Sequence, residues 1–254
     1  MTSEETAQRA QYDAIARRYD RHSAVSPYNT LLERPAVLAA CPPLAGRRVL
    51  EVGCAGGRLT ELLVARGASV VGFDASAAMV RIARQRVGDA ARLIVHDLRE
   101  PLHFAPDAAF DVVVVSLCLH YLRDWVPALA ELRRVLVPGG VVLISTGHPM
   151  AEVRLSTSGD YHAVEEVHDE WPTEEGPPLA VHFFRRPLSS SLDSARQAGL
   201  VLLDLIEPRP DPAHRAAYGA AFDAVYAQPV FLLLVLGRPL EEKAPRDGTG
   251  EHRE

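Results

Sequence analysis

Five strand-length apolar runs, separated by helical segments and glycine-rich turns, fill residues 48–145, and that rhythm restricts the chain to few architectures. The runs are 48–52, 69–73, 92–96, 110–115 and 141–145; helical periodicity occupies about 57–66, 76–87 and 125–135. Gly67 and Gly88 close two of these helices, and Pro138-Gly139-Gly140 leads into the fifth run. Phe110-Asp111-Val112-Val113-Val114-Val115 is almost wholly apolar and β-branched, which suits a central strand covered on both faces. The pattern predicts an α/β fold: a doubly wound parallel sheet with helices on both sides and right-handed crossovers.

The flanks are less regular. Tyr12, Ile15, Ala16 and Tyr19 recur at helical spacing, predicting a helix over about 8–21, and Leu31, Leu32, Val37 and Leu38 predict a second over 28–40. Together they form an N-terminal helical cap. Residues 147–187 break the alternation with prolines, clustered acids and two strand-like pieces, 164–171 and 179–185, as a lid over a binding site would. A helix at 189–198 and strands at 200–205 and 230–236 complete the pattern. The two closing strands should pair antiparallel at one sheet edge, although residues 206–229 separate them. All of 1–240 reads as one domain, and 241–254, without apolar periodicity, as a disordered tail.

Charge and composition narrow the partners. Against 27 Lys+Arg stand 33 Asp+Glu, a net −6 that gives no footprint for a phosphate backbone, so no nucleic-acid partner is expected. The longest apolar run, Val230 to Leu236, is far shorter than the ~20 residues that span a bilayer, and the first ten residues lack a basic-then-apolar leader pattern. Three scattered cysteines, Cys41, Cys54 and Cys118, make neither a disulfide framework nor a CxxC metal site. These features predict a soluble cytoplasmic protein with no membrane partner. Richness in alanine, arginine and proline points to a bacterial source, and no feature sets an oligomeric state.

The chemistry concentrates at strand ends. Val49 to Gly57, VLEVGCAGG, is a strand running into a glycine-rich turn, where a ligand can approach the backbone closely. Asp74 ends the second strand, where a carboxylate can accept both ribose hydroxyls. Asp97 follows the third, where it can accept from an exocyclic amino group. Tight turns and helix caps would explain either feature alone; three at successive strand ends point to a nucleoside site. A dinucleotide turn needs G-x-G-x-x-G, but counted from Gly53 this chain has Ala55 and Arg58 at the second and third glycine positions. Glu51 would also repel a pyrophosphate and suits a cationic ammonium or sulfonium instead. A nicotinamide oxidoreductase is thus the weaker alternative.

VLEVGCAGG, VVGFDAS, HDL, FDVVVVSLCLHYL and RVLVPGG resemble, in order and spacing, the successive motifs of class I S-adenosylmethionine-dependent methyltransferases. YDAIARRYD is similar to the segment that folds over the cofactor in the small-molecule branch of that family. The resemblance implies a seven-stranded Rossmann-like sheet with an antiparallel last strand, and S-adenosylmethionine as cofactor, released as S-adenosylhomocysteine. It also implies that Gly53, Cys54 and Ala55 line the methionine, Asp74 holds the ribose, and Ala75 and Met79 flank the adenine. Asp97 and Leu98 would meet the adenine edge, Ser116 and Leu117 the floor, and Tyr19 the carboxylate end. Ala55 departs from the family, where glycine is commoner.

Methyl transfer from a sulfonium is an in-line displacement that needs alignment, exclusion of water and, for a protonated acceptor, a base. His120 and His148, after the fourth and fifth strands, are the candidate catalytic bases; Tyr121 and Trp125 read as core. His182, Phe183 and Phe184 are expected to face inward from the lid, with His148 at its hinge. His162 and His168 with nearby acids match no metal-ligand spacing, so no metal is expected. The expected activity is methylation of a small aromatic or heteroaromatic metabolite at O, N or C, in natural product biosynthesis. The alternative is a protein of this fold that binds S-adenosylmethionine without transferring its methyl group.

Overall fold

The computed structural model describes residues 3–171 and 177–240, with the backbone alone for 3–11. The tail predicted over 241–254 lies outside the described residues, as do 172–176 within the lid segment.

Helix α1 (Ser3–Val25) is longer than the predicted 8–21. The apolar stripe marked only its inward turns; the first turns are polar good helix formers that no period reveals. The second predicted helix is divided into a π-helical stretch, Tyr28–Glu33, and α2 (Arg34–Ala40). Pro35 has no N–H to offer the carbonyl four residues back, so the regular ladder is interrupted there. The change of register buries Glu33.

Next come β1 (Arg48–Val52), α3 (Arg58–Ala65), β2 (Ser69–Asp74), α4 (Ala77–Val87) and β3 (Ala91–Val95). After them follow β4 (Phe110–Ser116), α5 (Val126–Val135) and β5 (Leu136–Gly147). The irregular segment holds α6 (Pro149–Glu152), β6 (Glu165–Trp171) and β7 (Leu179–Arg185). The chain closes with α7 (Leu188–Gln197), β8 (Val201–Ile206), α8 (Arg215–Tyr218), α9 (Ala220–Tyr226) and β9 (Phe231–Gly237). Seven strands form one sheet in the order β3-β2-β1-β4-β5-β9-β8, and β9 alone runs antiparallel to its neighbours. The sheet is thus the expected seven-stranded, mostly parallel one, with the last strand antiparallel. β6 and β7 pair with each other as a separate antiparallel hairpin, in register from Glu165–Arg185 to Trp171–Leu179.

Alternation along β4 explains its unbroken apolar run. Val113 and Val115 pack into the layer of α5 and α7, beside Leu129, Leu132 and Ala195. Val112 and Val114 pack into the opposite layer with Leu59, Leu63 and Val37. With both faces covered, the four valines between Asp111 and Ser116 are all apolar. The strand order reverses between β1 and β4, so the loops at their carboxyl ends diverge and leave a crevice. No helix among the described residues is long and apolar enough to cross a membrane.

Candidate active site

The turn after β1 is built by positive φ angles: 71° at Gly53, 44° at Ala55 and 79° at Gly57. A Cβ on Gly53 would stand 2.7 Å from Cβ of Cys118, so only glycine lets the loop after β4 come this close. The backbone N–H groups of Gly53 and Cys54 both donate to the Phe73 carbonyl at 2.9 Å. Asp74 fastens the turn: its Oδ2 accepts the Ala55 N–H at 3.0 Å and its Oδ1 the Ser76 N–H at 2.8 Å. Burial raises the Asp74 carboxyl to about 6 despite those two hydrogen bonds. Ala55 holds a left-handed angle at a cost of about 1 kcal/mol. Ala55→Gly should therefore raise unfolding stability by about 0.5–1 kcal/mol, read as a melting temperature higher by about 2 °C. An unchanged melting temperature would show that the turn absorbs the methyl group without strain.

From this turn a cleft of about 840 Å³, including its open mouth, runs across the carboxyl ends of β3, β2, β1 and β4. Of the twelve residues singled out in the sequence for the cofactor, ten line it: Tyr19, Gly53, Ala55, Asp74, Ala75, Met79, Asp97, Leu98, Ser116 and Leu117. Cys54 lies outside, its side chain buried with Val80, Ala83 and Leu93. Glu51 is also outside. Its side chain turns into the buried layer, accepts the Thr60 hydroxyl at 2.6 Å, and burial pushes its carboxyl up to about 8. Turned onto Thr60, it does not face the cleft, where the counter-charge for a sulfonium was expected.

The two histidines are not in the cleft. His148 accepts the Met150 N–H on Nδ1 at 3.2 Å, capping α6, while its Nε2 meets Glu207 at 3.0 Å. His120 is buried between Tyr121, at 4.4 Å between ring centroids, and Phe183, at 5.3 Å. Burial and then the Arg186 charge depress it to about 3, which leaves it a neutral and weak base. Nor do the three lid residues share a side. Phe183 joins Val167 and Val181 inside the hairpin, against Tyr121, whereas His182 and Phe184 alternate to the other face. A strand has period two, so consecutive residues cannot all point inward. Trp125 is core as expected, but Tyr121 lines the cleft.

Sequence reading also passed over Tyr12, which lines the cleft beside Tyr19. The signal was there: Tyr12-Asp13 and Tyr19-Asp20 stand seven apart, two helical turns, so each pair repeats on one face. The tyrosines face the cleft and the aspartates fasten the helix. Asp13 Oδ1 accepts the Ser76 hydroxyl at 2.6 Å and the Ala78 N–H at 2.9 Å, at the start of α4. Asp20 receives Arg58 at 3.1 Å and Arg86 at 2.9 and 3.0 Å, tying α1 to the start of α3 and the end of α4. Asp20→Ala would take the carboxylate from two partly buried guanidinium groups, leaving Arg58 only the carbonyl of residue 20 and Arg86 that of Gly56. It should lower unfolding stability by about 2 kcal/mol, measured by urea denaturation; an unmoved midpoint would mean the clamp holds nothing. Glu33 was likewise missed. Buried beneath the cleft, it accepts the hydroxyls of Ser116 at 2.7 Å and Ser145 at 2.6 Å, and desolvation raises its carboxyl.

Two acids of the lid are engaged structurally. Glu165 pairs with the buried Arg185 at the base of the hairpin, and Asp169 with Arg154 at 3.3 Å. Among the described residues no group of three or more His, Cys, Asp or Glu could hold a metal ion.

Residues 50–144 match a family described as a methyltransferase domain. Over 137 residues the chain is 36% identical to a demethylmenaquinone methyltransferase of Clavibacter sepedonicus, matching 53% of this chain and 56% of that protein. Over 150 residues it is 31% identical to a ubiquinone biosynthesis O-methyltransferase of Thiobacillus denitrificans, matching 58% of this chain and 65% of that one. The match thus spans less than two thirds of either relative. The fold is shared with an S-adenosylmethionine-dependent methyltransferase structure from Mesorhizobium loti, at a TM-score of 0.66 and 24% identity, over 85% of this chain and all of that one.

Proposed function

We propose that this chain, whose residues 50–144 match a methyltransferase domain, is a class I S-adenosylmethionine-dependent methyltransferase that methylates a small aromatic or heteroaromatic metabolite. The observation that carries the reading is the cleft itself. Carboxylates stand at its β2 and β3 ends, an open glycine turn at β1, and an aromatic wall at β4, beside a hairpin of enclosing size. Specialised metabolism is the setting that suits such an acceptor.

The residues fit the cofactor. Asp74 retains free lone pairs beyond the two N–H groups it accepts and can take the ribose hydroxyls. Asp97 and Leu98 stand one strand further out for the adenine edge, with Ala75 and Met79 beside them. Gly53 leaves room for the methionine portion, Ser116 and Leu117 form the floor, and Tyr19 closes over it from α1. S-adenosylmethionine supplies an electrophilic methyl group on a cationic sulfur. The chain orients it, excludes water and presents the acceptor in line.

The test is release of S-adenosylhomocysteine from a panel of phenols, indoles and amines. Release with any of them supports methyl transfer. Tight S-adenosylmethionine binding with no release from any acceptor would favour the alternative of a non-catalytic binding protein. Because His148 is held by Glu207 outside the cleft, His148→Ala should change turnover less than about threefold, against the hundredfold loss typical of a removed base. A hundredfold loss would place the acceptor beside α6.

A further inference from the structure

Resting on the methyl-transfer reading above, we propose that the accepting atom is a basic nitrogen, an amine that becomes cationic as it is methylated, seated against the wall formed by Tyr12, Tyr19 and Tyr121.

Three tyrosines meet at the β4 end of the cleft. Tyr12 and Tyr19 descend from α1, their rings 5.6 Å apart and nearly perpendicular, and Tyr121 meets Tyr12 at 5.8 Å, also edge to face. The Tyr12 and Tyr121 hydroxyls hydrogen-bond each other. Burial keeps all three as neutral phenols, with Tyr19 pushed up to about 12. Neutral phenol rings and oxygens stabilise a cation through ring faces and lone pairs. They do not take a proton from a neutral hydroxyl at ordinary pH.

The other titratable groups lining the cleft point the same way. Asp74, Asp97, His96 and Arg99 all stand at the β2 and β3 ends. His96 packs edge-on between Phe73 and Phe104 with its Nε2 at 3.2 Å from the Glu100 carbonyl. Cys118 reaches the β4 end, but desolvation lifts its thiol far above neutrality. Glu33, beneath the floor, is outside the lining and already accepts the Ser116 and Ser145 hydroxyls. Among the described residues, then, the lining of the β4 end offers cation stabilisation and no side chain that is a ready base. A phenol, alcohol or carbon acid must become an anion to react, which a desolvated wall of neutral phenols disfavours. An ammonium sheds its proton to water at the mouth and enters as a neutral amine that carries its own lone pair. That pair forms the N–C bond as the C–S bond breaks, the sulfur keeps the electron pair, and the nitrogen carries the charge until it yields a proton to water.

The test has two arms on the full-length protein. In the first, tyramine, which carries both a phenol and an amine, is supplied with S-adenosylmethionine, alongside phenethylamine, p-cresol and phenylacetic acid. N-methylation of tyramine and phenethylamine, located by fragmentation mass spectrometry, is expected. Release of S-adenosylhomocysteine with p-cresol or phenylacetic acid but neither amine would overturn the nitrogen assignment while leaving methyl transfer intact. No release from any acceptor would defeat methyl transfer itself. In the second, calorimetry on protein saturated with S-adenosylhomocysteine compares phenethyl-trimethylammonium with its neutral tert-butyl isostere. The cation should bind roughly tenfold tighter. Tyr121→Leu should erase that preference and Tyr121→Phe keep most of it, since the ring face survives. Equal binding of the two probes to the unaltered protein would overturn the inference whatever the variants do.

Discussion

Asp74→Ala is expected to weaken S-adenosylhomocysteine binding at least tenfold and by up to about a hundredfold in titration calorimetry. Two charge-assisted hydrogen bonds to a ribose, each worth about 1.5–3 kcal/mol, set the scale. The variant also frees the N–H groups of Ala55 and Ser76, so the turn and the start of α4 loosen together. Asp74→Asn, which keeps one acceptor oxygen, should fall between. The same carboxyl makes affinity depend on pH. Burial raises it to about 6 in the free protein, and accepting ribose hydroxyls favours its charged form. Binding therefore releases a proton below that value: affinity should rise with pH up to about 6 and level off above it. The stability of the free protein runs the other way. The folded pKa lies above the unfolded one, so the contribution of protonated Asp74 is present at low pH and is lost as pH rises through about 6. Unchanged affinity in Asp74→Ala would remove the central support for the nucleoside site.

Excising the hairpin should abolish methyl transfer and spare the cofactor. Glu165 and Arg185 are register partners at its base, and Arg185 is buried there on Glu165, Ser156 and the Tyr161 carbonyl. Replacing 166–184 by a short Gly/Ser linker keeps that knot and removes Phe183, which rests on His120 and Tyr121. S-adenosylhomocysteine affinity should stay within a few-fold, because β6 and β7 contribute nothing to the lining of the cleft. Turnover should fall at least about a hundredfold, as the acceptor loses the cover that excludes water and aligns it. Turnover at the original rate would show that the hairpin neither covers nor aligns the acceptor.

What could be read from the sequence were the features set by local chemistry. Apolar runs, set apart by helical periodicity and turn residues, marked all nine strands of the described residues, because they report which sides of an element are covered. The turn residues Gly53 and Gly57, and carboxylates directly after strands such as Asp74, were legible for the same reason: a strand end in a parallel sheet already fixes where its next residue stands. The sequence alone therefore determined the sheet and the floor of the cleft.

Only tertiary structure decided the walls. Glu51 and Asp74 are both carboxylates beside the same turn, yet Glu51 is buried against Thr60 while Asp74 faces the cleft. His148 and Tyr121 exchanged their expected places because a loop's direction depends on what it packs against, and His148 found Glu207 some sixty residues on. The tyrosine wall joins α1 to the loop after β4, more than a hundred residues apart. No local pattern encodes such a meeting; it exists only once Asp13 and Asp20 have fastened α1 across the helix starts that flank the cleft.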